Sequence, residues 1–268
     1  MTALRTENAT LAWDNHVISQ DLSVSIPRGA FTAIIGPNGC GKSTLLKSFA
    51  RILKPTAGGV FLGDCDVNTM PSKGVAKQLA LLPQSTVTPP DITVAELVRR
   101  GRYPHQSLLR PWSAEDSRAV EAALEATNVA GLGEQRVTEL SGGQRQRVWL
   151  AMVLAQNTPM LLLDEPTTYL DISHQYALLE LAKALVTQLN RTVVAVLHDL
   201  QQAVRYADHL IVMKDGAVVA GGRPTDVVTS ELIRDVFGIA VTVHLLDGQV
   251  VIVPATLPAP DVRMLGES

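Results

Sequence analysis

Cysteine is scarce in this chain. Only Cys40 and Cys65 occur among 268 residues, too few for a disulfide framework, and nothing points to an oxidising compartment. An excess of one charge is also lacking: 23 Lys and Arg face 26 Asp and Glu, for a net charge of −3. That balance argues against nucleic acid, which favours a basic face. No apolar run approaches the roughly 18–20 residues needed to span a bilayer. Met1 to Thr10 is polar and has no apolar core, so no signal peptide is expected. Aromatics are few, at 4%, in a composition otherwise ordinary for a globular protein, 46% hydrophobic and 18% charged. The chain is expected to be soluble by itself and to need a partner to work at a membrane. It has no internal repeat.

What is present is an alternation of short apolar runs with helical patterns. Phe31 to Ile35, Met160 to Leu163 and Thr192 to Leu197 read as strands buried on both faces. Leu45, Phe49 and Ile52 form one helical stripe, and Ile172, Tyr176, Leu179, Val186 and Leu189 another. Such alternation predicts an α/β fold around a parallel sheet, with the ligand at the carboxyl ends of the strands. Gly36, the pair Asp164-Glu165 and His198 follow the three strands. Residues 85 to about 140 instead read as helical, with a capping-box pattern at Thr93-Val94-Ala95-Glu96 and an Ala-rich stretch from Ser113 to Thr127. Hairpins are expected at His209 to Ala220, turning at Asp215-Gly216, and at Val241 to Val253, turning at Asp247-Gly248. The tail from 255 to 268, with its prolines, is expected to be loose.

Gly36-Pro37-Asn38-Gly39-Cys40-Gly41-Lys42-Ser43, with Thr44 next, fits a phosphate loop. Glycines let the backbone N–H groups curl toward phosphate, and the following helix adds its dipole. Lys42 is expected to neutralise the β- and γ-phosphates of ATP, and Ser43 to offer its hydroxyl to Mg²⁺. Asp164 can hold the Mg²⁺, and Glu165 can polarise the attacking water. The bland reading of Asp164-Glu165, an exposed turn after a core strand, loses to this one because the phosphate loop is present. Ser141-Gly142-Gly143-Gln144 satisfies a capping box and makes a second anion-binding helix start. One monomer has no use for two such sites, whereas two chains packed head to tail would close each nucleotide between them.

These motifs resemble the ATP-binding subunits of ABC transporters over nearly the whole chain, with Leu140 to Gln144 as the family's signature. The resemblance implies a P-loop NTPase, ABC-type nucleotide-binding domain over 3–238. It implies an N-terminal antiparallel β part, a helical subdomain inserted at about 85–157, and a C-terminal extension at 239–268. It further implies that Gln84 is the Q-loop glutamine touching Mg²⁺ and water, and that Tyr169-Leu170-Asp171 is the D-loop. By the same resemblance His198 is the switch histidine at the γ-phosphate, and Trp13, where the family more often has Tyr, stacks on adenine. Arg100 to Gln106, Leu150 to Gln156, Glu165 to Gln175 and Val196 to Leu200 are similar to the ATPases of ferric-siderophore and ferric-dicitrate importers. Vitamin B12 and haem importers share much of this. The implied partners are a second cassette, expected to be a copy of this chain, polytopic permease subunits, and indirectly an extracytoplasmic substrate-binding protein. The implied location is the cytoplasmic face of the cell membrane. The permease is expected to dock near residues 84–110, where Pro89-Pro90 follows Gln84 and Arg99, Arg100, Arg102 and Arg110 gather around Tyr103. A non-transport ABC ATPase would carry two cassettes or a long coiled coil, and a GTPase would carry an Asn-Lys-x-Asp motif. The chain has none of these.

Overall fold

The computed structural model describes residues 2–107 and 112–255. Arg110 and residues 256–268, among those read above, lie outside the described residues. Strands β1 (Thr2–Trp13) and β2 (His16–Pro27) make a long antiparallel hairpin, which β4 (Ala57–Leu62) and β5 (Cys65–Asp66) extend into a sheet ordered β2-β1-β4-β5. Between them lie β3 (Phe31–Ile35) and α1 (Lys42–Phe49), and after them α2 (Ser72–Ala76) and β6 (Leu79–Leu82). A helical stretch follows, with α3 (Val94–Arg100), α4 (Ala114–Ala126) and α5 (Gly142–Ala155). The chain then alternates through β7 (Met160–Asp164), α6 (Ile172–Leu189), β8 (Thr192–Val196), α7 (Leu200–Tyr206), β9 (His209–Lys214) and β10 (Ala217–Gly222). It closes with α8 (Pro224–Val227), α9 (Ser230–Phe237) and the hairpin β11 (Val241–Leu246) and β12 (Gln249–Pro254).

The second sheet has the order β10-β9-β3-β8-β7-β6, parallel from β9 to β6, with β10 antiparallel at the edge. The three apolar runs of the sequence occupy its centre as β3, β8 and β7, and every residue of all three is buried. Their period of two sorts each run between two cores. Phe31, Ala33, Ile35, Leu161, Leu163, Val193 and Ala195 face the helices α3 to α7. Ile34, Leu162, Val194 and Val196 face α1 and the antiparallel sheet.

Both expected hairpins form, and for one reason. Asp215 and Gly216 have φ of 49° and 80°, and Asp247 and Gly248 have φ of 50° and 77°, the positive pair that a two-residue turn requires. A Cβ on Gly216 would fall 2.0 Å from the Ile18 carbonyl oxygen, so no other residue fits there. The expected capping box at Thr93 also forms, and Ser113 makes a further one that the sequence reading does not include, each side chain accepting from the backbone N–H three residues on.

Two apolar stripes need correction. Helix α1 stops at Phe49, and Ile52 is exposed. In α6 the buried face is Leu178, Leu179, Ala182 and Val186, while Ile172, Tyr176 and Leu189 are exposed. An 18-residue helix is about 27 Å long and a five-residue strand about 17 Å, so the helix overruns the sheet at both ends.

Candidate functional site

The site begins where β3 ends. Gly36 has φ of 152°, and a Cβ there would fall 2.1 Å from the Met213 carbonyl oxygen, so the close passage of β9 demands glycine. Gly39 and Gly41 have φ of 77° and 101°. Gly41 is the N-cap of α1 and no side chain caps that helix start, so its first N–H groups face the loop. The Lys42 ammonium is buried over this curl and donates to the carbonyls of Gly36 and Pro37, both at 2.8 Å.

From the end of β7, Asp164 reaches the same place. Its Oδ1 accepts from the Ser43 hydroxyl at 2.7 Å, while its Oδ2 is buried with no hydrogen-bond partner. Burial pushes the Asp164 carboxyl above its usual pKa against the Ser43 bond and the charges of Lys47 and Lys42. A buried carboxylate oxygen left without a donor beside a serine hydroxyl suits a hard cation, which takes oxygen ligands.

Glu165 follows in a left-handed conformation, φ 52°, which costs a non-glycine residue on the order of 1–3 kcal/mol. The twist hangs its carboxylate between two other strand ends. Oε2 accepts from Gln84 Nε2 at 2.7 Å, beyond β6, and Oε1 lies 2.7 Å from His198 Nε2, beyond β8. These residues line a cavity of about 500 Å³ with Asn38, Gly39, Gly41, Lys42, Ser43 and Thr44. Ile18 of β2 lines it too. Nothing in the sequence marks that residue, an ordinary apolar position of a strand.

Trp13 stands beside the cavity, against the first turns of α1. Its indole N–H donates to the Thr44 hydroxyl at 3.3 Å, and the Lys47 ammonium lies 5.4 Å from the ring centroid. Ser141 caps α5, accepting from the Gln144 N–H, and Gln144 returns a bond to the Ser141 N–H. This segment does not line the phosphate-loop cavity, and Ser141 and Gly142 face outward. Gly143 packs on Leu170, next to Tyr169, which is 79% exposed at φ 67°. Asp171 caps α6. Bonds from the His174 backbone and ring and from Ser173 hold its carboxyl down at about 2.

Around residues 84–110 the arginine reading splits. Arg99 and Arg100 are exposed and line a groove of about 600 Å³ with Pro89, Pro90, Tyr103 and Trp112. Arg102 does not belong with them. It is fully buried, with Nε 2.8 Å from Asp116 Oδ1 and Nη1 donating to the Ala155 carbonyl, a bolt between the segment after α3 and helices α4 and α5. A charge cluster in sequence has no direction, and the turn after α3 points this arginine inward.

Comparison with known proteins agrees with the geometry. Residues 19–168 match the ABC transporter family. The chain is 51% identical to the ferric enterobactin transport ATP-binding protein of Escherichia coli K12, over 95% of this chain and 93% of the relative. It is 50% identical to a siderophore transport system ATP-binding protein of Bacillus subtilis 168, over 88% and 86%. The solved dimeric structure of a bacterial ABC transporter cassette superposes with a TM-score of 0.76 at 28% identity, covering 82% of this chain and 98% of that one. The chain belongs to the ABC transporter family, as one of its ATPase cassettes.

Proposed function

We propose that this chain is the ATP-hydrolysing subunit of an importer for ferric siderophores, acting as a pair of head-to-tail copies beneath polytopic permease subunits. The observation that carries the catalytic part is the Glu165 carboxylate, held at 2.7 Å by both Gln84 and His198 at the rim of the phosphate-loop cavity. The iron-chelate part is supported by the relatives, whose names specify ferric enterobactin and siderophore transport.

In this reading the curled loop from Gly36 to Thr44 binds the phosphates through backbone N–H groups, and Lys42 turns its ammonium from the loop carbonyls to the β- and γ-phosphates. Trp13 stacks on the adenine. Ser43, Asp164 and Gln84 would hold Mg²⁺, which when bound would spread the charge of the β- and γ-phosphate oxygens. Glu165 takes a proton from the attacking water as the water oxygen bonds to the γ-phosphorus and the bond to ADP breaks. His198 orients Glu165 and contacts the γ-phosphate. Ser141, Gly142, Gly143 and Gln144 of the partner copy supply the second anion site and close the nucleotide in. The helical insert, about 85–157, carries the motion to the permease at the groove of Arg99, Tyr103 and Trp112. The cassette then lies at the cytoplasmic face of the membrane, where ATP is available, and no described helix is long and apolar enough to cross.

Glu165→Gln in the complex reconstituted in liposomes tests both parts. ATP binding is expected to persist, while hydrolysis and uptake of labelled ferric siderophore are lost. Near wild-type single-turnover hydrolysis would remove Glu165 as the base. Wild-type uptake of labelled cobalamin in place of the iron chelate would overturn the substrate.

A further inference from the structure

The C-terminal hairpin reaches the site indirectly, through α7. This helix has seven residues, fewer than an isolated helix needs to hold its shape in water. It starts two residues after His198, with Asp199 between them as its cap, so the position of α7 decides where the imidazole sits. On the hairpin side, Gln201 presents its side-chain amide to β12 as a neighbouring strand would. Gln201 Nε2 donates to the Val250 carbonyl at 3.0 Å, and the Ile252 N–H donates to Gln201 Oε1 at 3.0 Å. Residues two apart on one strand edge offer that acceptor and donor pair, and one primary amide satisfies both. The hairpin is anchored in turn, because Val241 and Val250 are buried in the core cluster that also holds Leu197, Ala203 and Val204.

We propose that β11 and β12 clamp α7 and that Gln201 is a positioning residue for hydrolysis, holding His198 against Glu165. The proposal rests on the reading of His198 as the group that orients Glu165. Fixing α7 from outside matters because the His198 side chain is itself 46% exposed, and few neighbours restrain it beyond the 2.7 Å contact with Glu165. The phosphate-loop cavity is lined by His198 but by neither Gln201 nor β12, so the clamp reaches the nucleotide only through His198 while the loop's own contacts stay in place. A structural role alone would lower stability and leave the kinetics of the folded fraction unchanged. A positioning role separates kcat from KM.

The test compares full-length Gln201→Leu, Gln201→Glu and His198→Ala in steady-state ATPase assays, with thermal melts to normalise for folded protein. Gln201→Leu removes both bonds and keeps the side chain's bulk. Misplacing a catalytic group by about 1 Å can cost up to about 100-fold, and a loosened clamp is expected to cost about tenfold in kcat, with KM changed less than about twofold. Gln201→Glu keeps the acceptor for Ile252 and loses the donor to Val250, so its kcat is expected to fall between wild type and Gln201→Leu. If Gln201→Leu does not fold, the Gln201→Glu result decides. Unchanged kcat in the folded Gln201 variants, with His198→Ala inactive, would overturn the clamp alone. So would a loss confined to the melting temperature. An active His198→Ala would overturn the reading of His198 beneath it.

Discussion

At the scale of single residues, hydrogen-bond partners rather than burial distinguish a candidate-site carboxyl from one that holds the fold. Asp164 and Asp116 are both about 1% exposed, yet they are perturbed in opposite directions. Asp164 has one hydroxyl partner and an oxygen left over, and burial raises its pKa. Burial acts on Asp116 the same way, but bonds from Ser113 and Arg102 outweigh it and hold the carboxyl at about 2, below its ordinary 3.8. A carboxyl whose folded pKa is depressed stabilises the fold fully above its unfolded value and loses that contribution as pH falls through the folded one. The Arg102–Asp116 pair is therefore expected to act at full strength above about pH 4 and to fade toward about pH 2. Asp116→Asn removes the 2.8 Å ion pair and leaves the buried Arg102 charge only Glu115, 4.0 Å from its Nη2, which costs up to about 3–5 kcal/mol. Urea unfolding should show that loss at pH 7 and a smaller gap between variant and wild type at pH 3. An equal gap at both pH values would contradict the ionised pair. The sequence revealed that Arg102 was charged and near other arginines, and its inward direction came from packing.

At the scale of elements, local chemistry was legible wherever a few neighbouring residues suffice. The capping boxes at Thr93 and Ser141, the Asp-Gly turns and the buried central strands depend on contacts within a few positions, and all appear in the structure. The ends of α6 were misjudged because periodicity records which side chains share a face and is silent on how far the opposing sheet extends. The groove beyond α3 is a case where both kinds of information are needed. The Arg99 guanidinium lies 5.8 Å from the centre of the Trp112 ring, and Tyr103 beside them is 60% exposed. Exposed Arg, Tyr and Trp around a groove are the residue types that anchor interfaces. With Arg102 assigned to the core, the docking test moves to its neighbours. Arg99→Glu with Tyr103→Ala is expected to leave basal ATPase of the isolated cassette within about twofold while substrate-stimulated ATPase of the liposome complex drops about tenfold or more, the scale of losing a hot-spot contact. Unchanged stimulation would move the dock elsewhere.

At the scale of the whole molecule, the main fact is a surplus. The cavity under Lys42 is lined without the Ser141 segment, which caps α5 and faces outward beside the exposed Tyr169. A second copy placed head to tail would bring each surplus site over the other's phosphates. Ser141→Arg is expected to leave nucleotide binding to the monomer within about twofold and to abolish dimer closure, because a long cation at the helix start opposes the dipole. Lys42→Ala should weaken ATP binding about 10- to 150-fold by removing a charge-assisted contact. Mixed dimers of the two variants collect both defects in one site and leave the other intact, so partial recovery of ATPase is expected. Strictly additive loss in proven mixed dimers would argue against shared sites. The sequence by itself determined the glycine-rich loop between a strand and a helix, the buried strands, and the order of the acidic pair and the histidine, because each is a local pattern read along the chain. Only the tertiary structure decided that Gln84 and His198 each come to 2.7 Å from Glu165, that Ile18 walls their cavity and that Arg102 turns into the core. The physical reason is that a parallel sheet orders its strands by crossover connections, so side chains far apart along the chain become neighbours at strand ends whose adjacency no local pattern records.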